Sequence, residues 1–206
     1  MRVSKTELFP TNVYVFDNVL EEEYIGSMKK DILERTDTNF QEKGGQDDDS
    51  GDLQLRPKYK SLTNAVEEGT KYVLNNLLYE YDDFAITGMW STVLTQNSIH
   101  RPHTHSNNML SGVYYVQSDK DANAKIHFYD PRPQADIISP HVKKLTRENG
   151  HVWFWPSIVN RMIIFPSWLQ HYVEPNPSET PRISIAFNMQ LKGRVGQMSD
   201  YQSAEF

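Results

Sequence analysis

Residues 181–188 read PRISIAFN, and the alternation of polar or small side chains with large apolar ones along this stretch predicts a β-strand. Arg182, Ser184 and Asn188 fall on one face, whereas every odd-numbered position from 183 to 189 carries isoleucine, phenylalanine or methionine. A face this apolar must be buried, because its removal from water is favourable. The polar face then looks either to solvent or into a polar cavity.

The preceding hundred residues have the same texture of short runs rich in Val, Ile, Phe, Tyr and Trp, separated by polar residues or proline. Many short strands broken in this way favour a sandwich or a barrel. We expect strands at 84–95, 99–105, 109–117, 124–129, 141–146, 151–155, 161–165, 170–174 and 181–191.

The first 83 residues differ, because their apolar positions recur at helical spacing. We expect helices at 19–35 and 63–79, each introduced by a capping box. The two capping boxes would be formed by Asn18 with Glu21 and by Asn64 with Glu67. The predicted fold class is therefore α+β and mainly β, with two N-terminal helices that brace a jelly-roll double sheet.

No linker-like stretch divides the 206 residues, so a single domain is expected over 1–206. Its parts would be a helical support at 1–83, a jelly-roll core at 84–191 and a polar tail at 192–206. The run from 41 to 52, QEKGGQDDDSGD, is acidic and lacks large apolar residues, which predicts a solvated loop.

Composition excludes several classes of function. The formal net charge is −6, so a nucleic-acid partner is disfavoured. The chain has no cysteine, which rules out a disulfide framework, a Cys-zinc site, an iron–sulfur cluster and a thiol nucleophile. No stretch approaches the roughly 20 apolar residues of a membrane span. A cytoplasmic protein without a membrane anchor is expected.

Three histidines form the candidate metal site. His103 and His105 are one residue apart, and side chains at that spacing on a strand point to the same face. His171, from a distant segment, would complete three ligands around one metal and leave positions open for a substrate and a gas. Imidazole is a good ligand for iron, zinc, copper or nickel. His100 is out of phase with the pair and is assigned either to the surroundings of the site or to the surface.

Arg182 and Ser184 form the second candidate site. A guanidinium makes a planar, bidentate pair with a carboxylate, and a hydroxyl two residues further along can add a hydrogen bond. Together with the three histidines, this pattern indicates a mononuclear iron oxygenase whose cosubstrate is an organic acid. The remaining pocket candidates are Tyr115 and Asn188 for the cosubstrate, and Trp90, Tyr114 and Trp168 for the substrate.

Several motifs in this order resemble a family of iron(II)/2-oxoglutarate-dependent oxygenases from bacteria and their phages. They are HTHSNNMLSGVYYV, FYDPRP, IIFPSWLQHYVEPN and PRISIAFN, preceded by ELFPTNVYVF near the start. The resemblance implies a double-stranded β-helix of the cupin-like type, with Fe(II) and 2-oxoglutarate as cofactor and cosubstrate. It also implies that His103 and His171 are iron ligands and that Arg182 with Ser184 clamps the distal carboxylate of 2-oxoglutarate.

The sequence departs from the family pattern at His105, because this position usually carries an aspartate or glutamate. Three neutral ligands leave Fe(II) with its full double charge. Some cupin-type oxygenases use three histidines, which is compatible with activity. Asp130, in FYDPRP, is an alternative source of a carboxylate ligand.

The expected activity is an Fe(II)- and 2-oxoglutarate-dependent dioxygenase that hydroxylates a small molecule or a peptide, for example at proline, and releases succinate and CO2. O2 and the substrate are the expected partners, together with a second copy of the chain in a homodimer. One alternative is a cupin-like three-histidine metalloenzyme that does not use 2-oxoglutarate. Another is a non-catalytic β-sandwich with a binding or structural role.

Overall fold

The computed structural model describes residues 1–36, 45–47, 50–132, 137–196 and 203–206, with residues 45–47 described by their backbone alone. The helices are α1 (Glu22–Arg35) and α2 (Lys60–Asn76), and two short 3-10 turns lie at Leu53–Leu55 and Pro57–Tyr59. The strands are β1 (Tyr14–Asp17), β2 (Gly45–Asp47), β3 (Asp83–Leu94), β4 (His100–His103), β5 (Leu110–Gln117), β6 (Lys125–Tyr129), β7 (Val152–Pro156), β8 (Arg161–Pro166), β9 (His171–Val173), β10 (Arg182–Lys192), β11 (Arg194–Val195) and β12 (Ala204–Glu205).

Two antiparallel sheets form the body of the protein. The larger has the order β1-β8-β5-β10-β3-β2, and the smaller has the order β4-β9-β6-β7. From β3 to β10 the chain passes from one sheet to the other at every connection except the β6–β7 pair. This alternation is the double-stranded β-helix, a jelly roll of eight strands, and it confirms the predicted fold class.

Strand β10 separates two cores, as its alternating sequence predicts. Its odd-numbered residues from Ile183 to Met189 pack with residues of both helices, including Ile32, Leu62 and Val66. Its even-numbered residues face the interior between the two sheets. The apolar cluster there includes Tyr115, Phe128 and Phe165, drawn from both sheets, and Leu169 from the turn between β8 and β9.

The structure corrects the predicted start of each helix. Asn18 adopts a left-handed conformation (φ 56°), and α1 begins at Glu22 without a side-chain cap. The approach to α1 is instead fixed by Asn160, whose side chain accepts a hydrogen bond from the Leu20 backbone N–H (2.8 Å) and donates one to the Leu20 carbonyl (2.7 Å). Helix α2 begins at Lys60, directly after the second 3-10 turn, so Asn64 lies within the helix and the second predicted capping box is wrong.

Two strand assignments are also corrected. The predicted strand at 141–146 is absent, and Val142 and Leu145 are 46% and 48% exposed in the loop between β6 and β7. Strand propensity is insufficient there, because no neighbouring strand covers these side chains. Strand β1 was not predicted. It extends the larger sheet by pairing with β8.

The acidic run at 41–52 is described only in part. Residues 45–47 pair with β3 as an edge strand, whereas residues 41–44 and 48–49 of the predicted loop lie outside the described residues. In the predicted tail, β11 and β12 pair with each other, and residues 197–202 lie outside the described residues. No helix of the described part of the chain is both long and apolar enough to cross a bilayer.

Gly112 on β5 provides a test of packing between the larger sheet and the helices. A Cβ added there would meet the ring of Phe187 and lie 2.7 Å from the carbonyl oxygen of Ile163, closer than atoms pack. We expect Gly112→Ala to lower the free energy of unfolding by about 1–3 kcal/mol or more, measured by urea denaturation. The matched control is Gly26→Ala in α1, where a Cβ meets nothing within 4 Å. It should raise stability by about 0.5–1 kcal/mol. Equal stability of both variants would contradict the packing described here.

Asp31 links α1 to the second 3-10 turn and makes stability depend on pH. Burial raises the pKa of its carboxyl, but hydrogen bonds donated by Lys58, Tyr59 and Arg35 outweigh burial and lower the pKa to about 2. The stabilisation is therefore complete above the unfolded pKa near 4 and is lost as pH falls through about 2.

We expect Asp31→Asn to cost roughly 1–3 kcal/mol of unfolding free energy at pH 7, with a difference from wild type that shrinks toward pH 2. Glu34→Gln, at an exposed carboxylate of the same helix, is the control and should leave the pH profile unchanged. A difference between Asp31→Asn and wild type that stays constant from pH 7 to pH 2 would refute the role of Asp31.

Candidate metal centre

The pairing of β4 with β9 brings the first two histidines together. In the register of this antiparallel pair, His103 lies directly opposite His171. Their ring centroids are 4.3 Å apart. His171 is 4% exposed and contacts the rings of Phe165 and Phe128 in the core between the sheets.

Backbone carbonyls orient both imidazoles. Nδ1 of His103 lies 2.7 Å from the carbonyl oxygen of Arg101, and Nδ1 of His171 lies 2.9 Å from that of Leu169. A carbonyl oxygen only accepts, so Nδ1 carries the proton in each ring and Nε2 presents its lone pair. A carbonyl acceptor behind the ring is the usual support of a histidine that binds a metal.

His105 completes the cluster by a route that differs from the predicted one. Strand β4 ends at His103, so strand periodicity does not place His105. Its backbone N–H instead donates to the carbonyl of Ser167 (3.0 Å), in the turn between β8 and β9. Its ring centroid is 5.0 Å from that of His103 and 5.2 Å from that of His171. One ligand atom of each of the three histidines lies within 4.8 Å of the others, a spacing that one metal ion can bridge.

Burial keeps two of these imidazoles neutral. It lowers the pKa of His171 to about 3; the hydrogen bond to the Leu169 carbonyl opposes this shift, and the neighbouring histidines add a smaller lowering. It also lowers the pKa of His105 to about 4, again with contributions from His103 and His100. A neutral ring is the form that binds a metal, so at neutral pH little proton competition is expected at these positions.

His100 also lies beside the cluster, although strand periodicity predicts that it faces the other way. Positions 100 and 103 should face opposite sides of a regular strand, but His100 pairs with Val173 and His103 with His171. The three-residue step from His100 to His103 on β4 thus matches a two-residue step on β9. This mismatch is a β-bulge, and it turns both histidines to the same face. Their ring centroids are 5.0 Å apart. Pro102 was the available signal, because proline within a strand is found mainly at edges and bulges.

Arg182, at the start of β10, is a buried cation on the polar face of the larger sheet. It is 2% exposed, and its Nη1 donates to Oγ of Ser184 (3.1 Å). Its guanidinium carbon lies 5.0 Å from the ring centroid of Tyr115. Nε of Arg182 and the hydroxyl of Tyr115 are buried and have no hydrogen-bond partner among the described residues. Burial raises the pKa of Tyr115 despite the opposing charge of Arg182, so its hydroxyl keeps its proton and can donate.

These orphaned donors fit a carboxylate. Among the described residues, no acidic side chain forms an ion pair with Arg182, although an unpaired buried charge is costly. A carboxylate placed between Arg182, Ser184 and Tyr115 would accept from all three side chains. The distal end of 2-oxoglutarate is such a group, and the neutral histidines suit Fe(II) at its other end. The described residues therefore fit both the metal and the cosubstrate.

The other predicted site residues are distributed as follows. The ring centroid of Trp90 lies 6.0 Å from that of His105, and Trp168 is 58% exposed in the turn that leads to His171. Asn188 lies on β10, six residues beyond Arg182, and its Oδ1 accepts a hydrogen bond from Ser111 (2.7 Å).

Two candidates face away from the cluster or are already paired. Tyr114 lies on the opposite face of β5 from Tyr115, packs with the helix-side core and donates to Asn160 (2.9 Å), so it does not line the pocket. The carboxylate of Asp130 accepts from Arg132 at 3.0 and 2.7 Å and is absent from the three-histidine group, which removes the support for Asp130 as an alternative ligand.

Comparison with known proteins agrees with this geometry. The family model described as "Putative 2OG-Fe(II) oxygenase" matches residues 88–188, from β3 to β10, and so contains all three histidines and Arg182. No curated protein matches the sequence.

Solved structures share the fold at low sequence identity. A Pseudomonas putida prolyl-4-hydroxylase is 12% identical, with a TM-score of 0.58 over 89% of this chain and 94% of that chain. HygX from Streptomyces hygroscopicus, solved with nickel, 2-oxoglutarate and hygromycin B bound, is 12% identical, with a TM-score of 0.59 over 95% of this chain and 92% of that chain. A Trichoplax adhaerens prolyl hydroxylase, solved in complex with a hypoxia inducible factor peptide fragment, is 15% identical, with a TM-score of 0.58 over 86% of this chain and 83% of that chain.

The matched family model, the double-stranded β-helix, the convergence of three histidines and the buried arginine on β10 lead to one assignment. Residues 88–188 of this chain, which carry the three histidines and Arg182, belong to the family of 2-oxoglutarate-dependent Fe(II) oxygenases.

Proposed function

We propose that His103, His105 and His171 bind Fe(II) through Nε2 of His103 and His171 and a ring nitrogen of His105, and that Arg182, Ser184 and Tyr115 hold the distal carboxylate of 2-oxoglutarate. The observation that carries this proposal is the pair of buried donors without a partner, Nε of Arg182 and the hydroxyl of Tyr115. A cupin-like metalloenzyme without 2-oxoglutarate would have no need of a buried, unpaired guanidinium on the inner face of β10. A structural module would need neither this guanidinium nor three converging imidazoles.

Iron and 2-oxoglutarate, when bound, supply the chemistry in which O2 and the oxo acid give succinate and CO2 while one oxygen atom enters a C–H bond of the substrate. The protein contributes binding, orientation and charge. Three neutral imidazoles leave the double positive charge of the metal uncompensated, and Arg182 adds one further positive charge. Together they attract a dianionic oxo acid and fix its two ends at separate points of the site.

The surroundings of His171 exclude water from the inner side of the centre. Phe165 and Phe128 pack against its ring at centroid distances of 4.7 and 5.8 Å, and Tyr115 is fully buried in the same cluster. A dry interior strengthens the electrostatic attraction between Arg182 and a carboxylate. It also protects reactive species from side reactions with water.

We propose that the enzyme hydroxylates either a peptide, for example at a proline residue, or a small molecule. Prolyl hydroxylases and an enzyme solved with hygromycin B both share this fold, which supports either class. Trp90, beside His105, and the exposed Trp168 provide aromatic surface on the outer side of the histidines. Such rings stack on a proline or on a sugar ring.

Three further predictions of the sequence belong to the same proposal. We propose a cytoplasmic location, in a bacterium or a phage-infected cell, and a homodimer formed through the helices or the tail. A single domain over residues 1–206 is also part of the proposal.

The metal ligands are tested by replacing His171. His171→Ala removes one of three ligands and should abolish stoichiometric binding of Fe(II), measured by anaerobic calorimetry and by metal analysis after desalting. His105→Asp should keep binding, because a carboxylate at this position is also a good iron ligand. His141→Ala, at an exposed histidine of the β6–β7 loop, is the matched control. Undiminished Fe(II) binding by His171→Ala would rule out the proposed centre.

The cosubstrate site is tested by Arg182→Ala. Loss of one partner of a buried charge pair typically costs about 2–5 kcal/mol, so the Kd for 2-oxoglutarate should rise roughly 30-fold to several thousand-fold. The Kd for Fe(II) should change far less. The measurement is anaerobic titration of the iron-loaded protein with 2-oxoglutarate, followed by the visible charge-transfer band.

Arg147→Ala, at an exposed arginine, is the control for this titration. Thermal denaturation of the metal-free Arg182→Ala protein checks that it is folded. Unchanged 2-oxoglutarate binding in a folded Arg182→Ala protein would favour the three-histidine metalloenzyme that does not use this cosubstrate.

A further inference from the structure

A buried serine in the turn between β8 and β9 connects to two of the three histidines. Ser167 is fully buried, and its carbonyl accepts the hydrogen bond from the His105 backbone N–H at 3.0 Å. The same turn closes through a hydrogen bond from the Leu169 N–H to the Pro166 carbonyl (2.9 Å). The Leu169 carbonyl in turn accepts from Nδ1 of His171 (2.9 Å). One short turn therefore holds the backbone of His105 and the ring of His171.

The side chain of Ser167 ties this turn to the larger sheet. Its Oγ lies 2.8 Å from Oγ of Ser111 on β5. Ser111 donates its only proton to Oδ1 of Asn188 on β10 (2.7 Å). Ser167 must therefore be the donor in its hydrogen bond with Ser111, because a hydroxyl carries a single proton. The result is a chain of hydrogen bonds with one direction, from Ser167 through Ser111 to Asn188, which we call the serine relay.

Register shows why these residues meet. Ser111 is the residue of β5 that pairs with both Asn188 on β10 and Phe165 on β8. The turn begins directly after β8, and the Ser167 backbone N–H also donates to the Met109 carbonyl (3.1 Å). Two strands of the larger sheet thus anchor a turn that leads into the smaller sheet.

We propose that the serine relay positions two metal ligands, with Ser167 and Ser111 as positioning residues that never touch the metal. Loss of the Ser167 hydroxyl would free the turn, and a shift of the turn moves the Leu169 and Ser167 carbonyls together. His105 and His171 would then change position together. His103 would not, because the Arg101 carbonyl orients its ring independently of this turn. The metal readout of this proposal rests on the proposed role of the three histidines.

The first test uses Co(II) as the metal probe, since its visible absorption reports coordination geometry. We expect Ser167→Ala to raise the Kd for Co(II) about 10- to 100-fold, the range found for residues that support metal ligands, and to change the visible spectrum of the bound ion. Ser111→Ala should change the visible spectrum of bound Co(II) in the same way as Ser167→Ala. The double variant should be no weaker than either single variant, because both substitutions break one relay.

The matched control is Ser157→Ala. Ser157 is also a buried serine whose hydroxyl is hydrogen-bonded to a serine hydroxyl (Ser118, 2.7 Å). It directly follows β7, at the end of that strand farther from the histidines. Ser157→Ala should leave the Kd for Co(II) and the visible spectrum of the bound ion unchanged. The relay would be overturned if Ser167→Ala bound Co(II) within twofold of wild type with an identical spectrum. Additive effects of the two serine substitutions would overturn it as well.

A second test needs no metal and separates this proposal from the assignment of the ligands. In the metal-free protein, amide hydrogen exchange at His105 should become about 10-fold faster in Ser167→Ala and in Ser111→Ala, but not in Ser157→Ala. If wild type failed to bind Co(II), the proposed ligands would be wrong, and exchange at His105 would decide on the relay alone. Unchanged exchange at His105 in both relay variants would refute the positioning role.

Discussion

The antiparallel pairing of β4 with β9 places His103 opposite His171, and the rest of the centre depends on this register. Directly opposed residues of such a pair have Cβ atoms about 4.5–5.5 Å apart, which is within the reach of two imidazoles that share one ion. A slip of one residue would turn His171 to the other face, because side chains alternate along a strand. The bulge in β4 adjusts the neighbouring residues without disturbing this pair, and it brings His100 to the same face.

A second constraint is electrostatic. Arg182 is buried on a strand whose opposite face closes the helix-side core, so the guanidinium cannot turn outward without exposing Ile183 and its apolar neighbours. An isolated buried charge costs several kcal/mol, and burial of the apolar face offsets this cost in the protein without cosubstrate. Burial also keeps His105 and His171 neutral by lowering the pKa of each ring. With a divalent metal ion bound at these neutral rings, the interior would carry positive charge at two points and would be complementary to an acid with a negative group at each end.

Local periodicity explains what the sequence could predict. The alternation of side chains along β10 predicts its two faces, and the short strands with polar breaks predict the fold class. The spacing of the histidines indicated the metal site. The strand expected at 141–146 was wrong because its pattern finds no partner in the sheet. His105 was placed by a strand argument, yet a hydrogen bond to Ser167 from a distant turn holds it. Such contacts between segments far apart in the chain leave no periodic signal, and the same holds for the carbonyl that orients His171.

The proposed centre requires that three imidazoles, from two separate segments of the chain, hold a single iron ion. Anomalous diffraction at the iron edge, from crystals grown anaerobically with Fe(II), tests it most directly. We expect one strong peak at a bonding distance of roughly 2 Å from a ring nitrogen of each of His103, His105 and His171, with Nε2 as the bonded atom of His103 and His171. A peak bonded to other side chains, or these three rings without a shared peak, would contradict it.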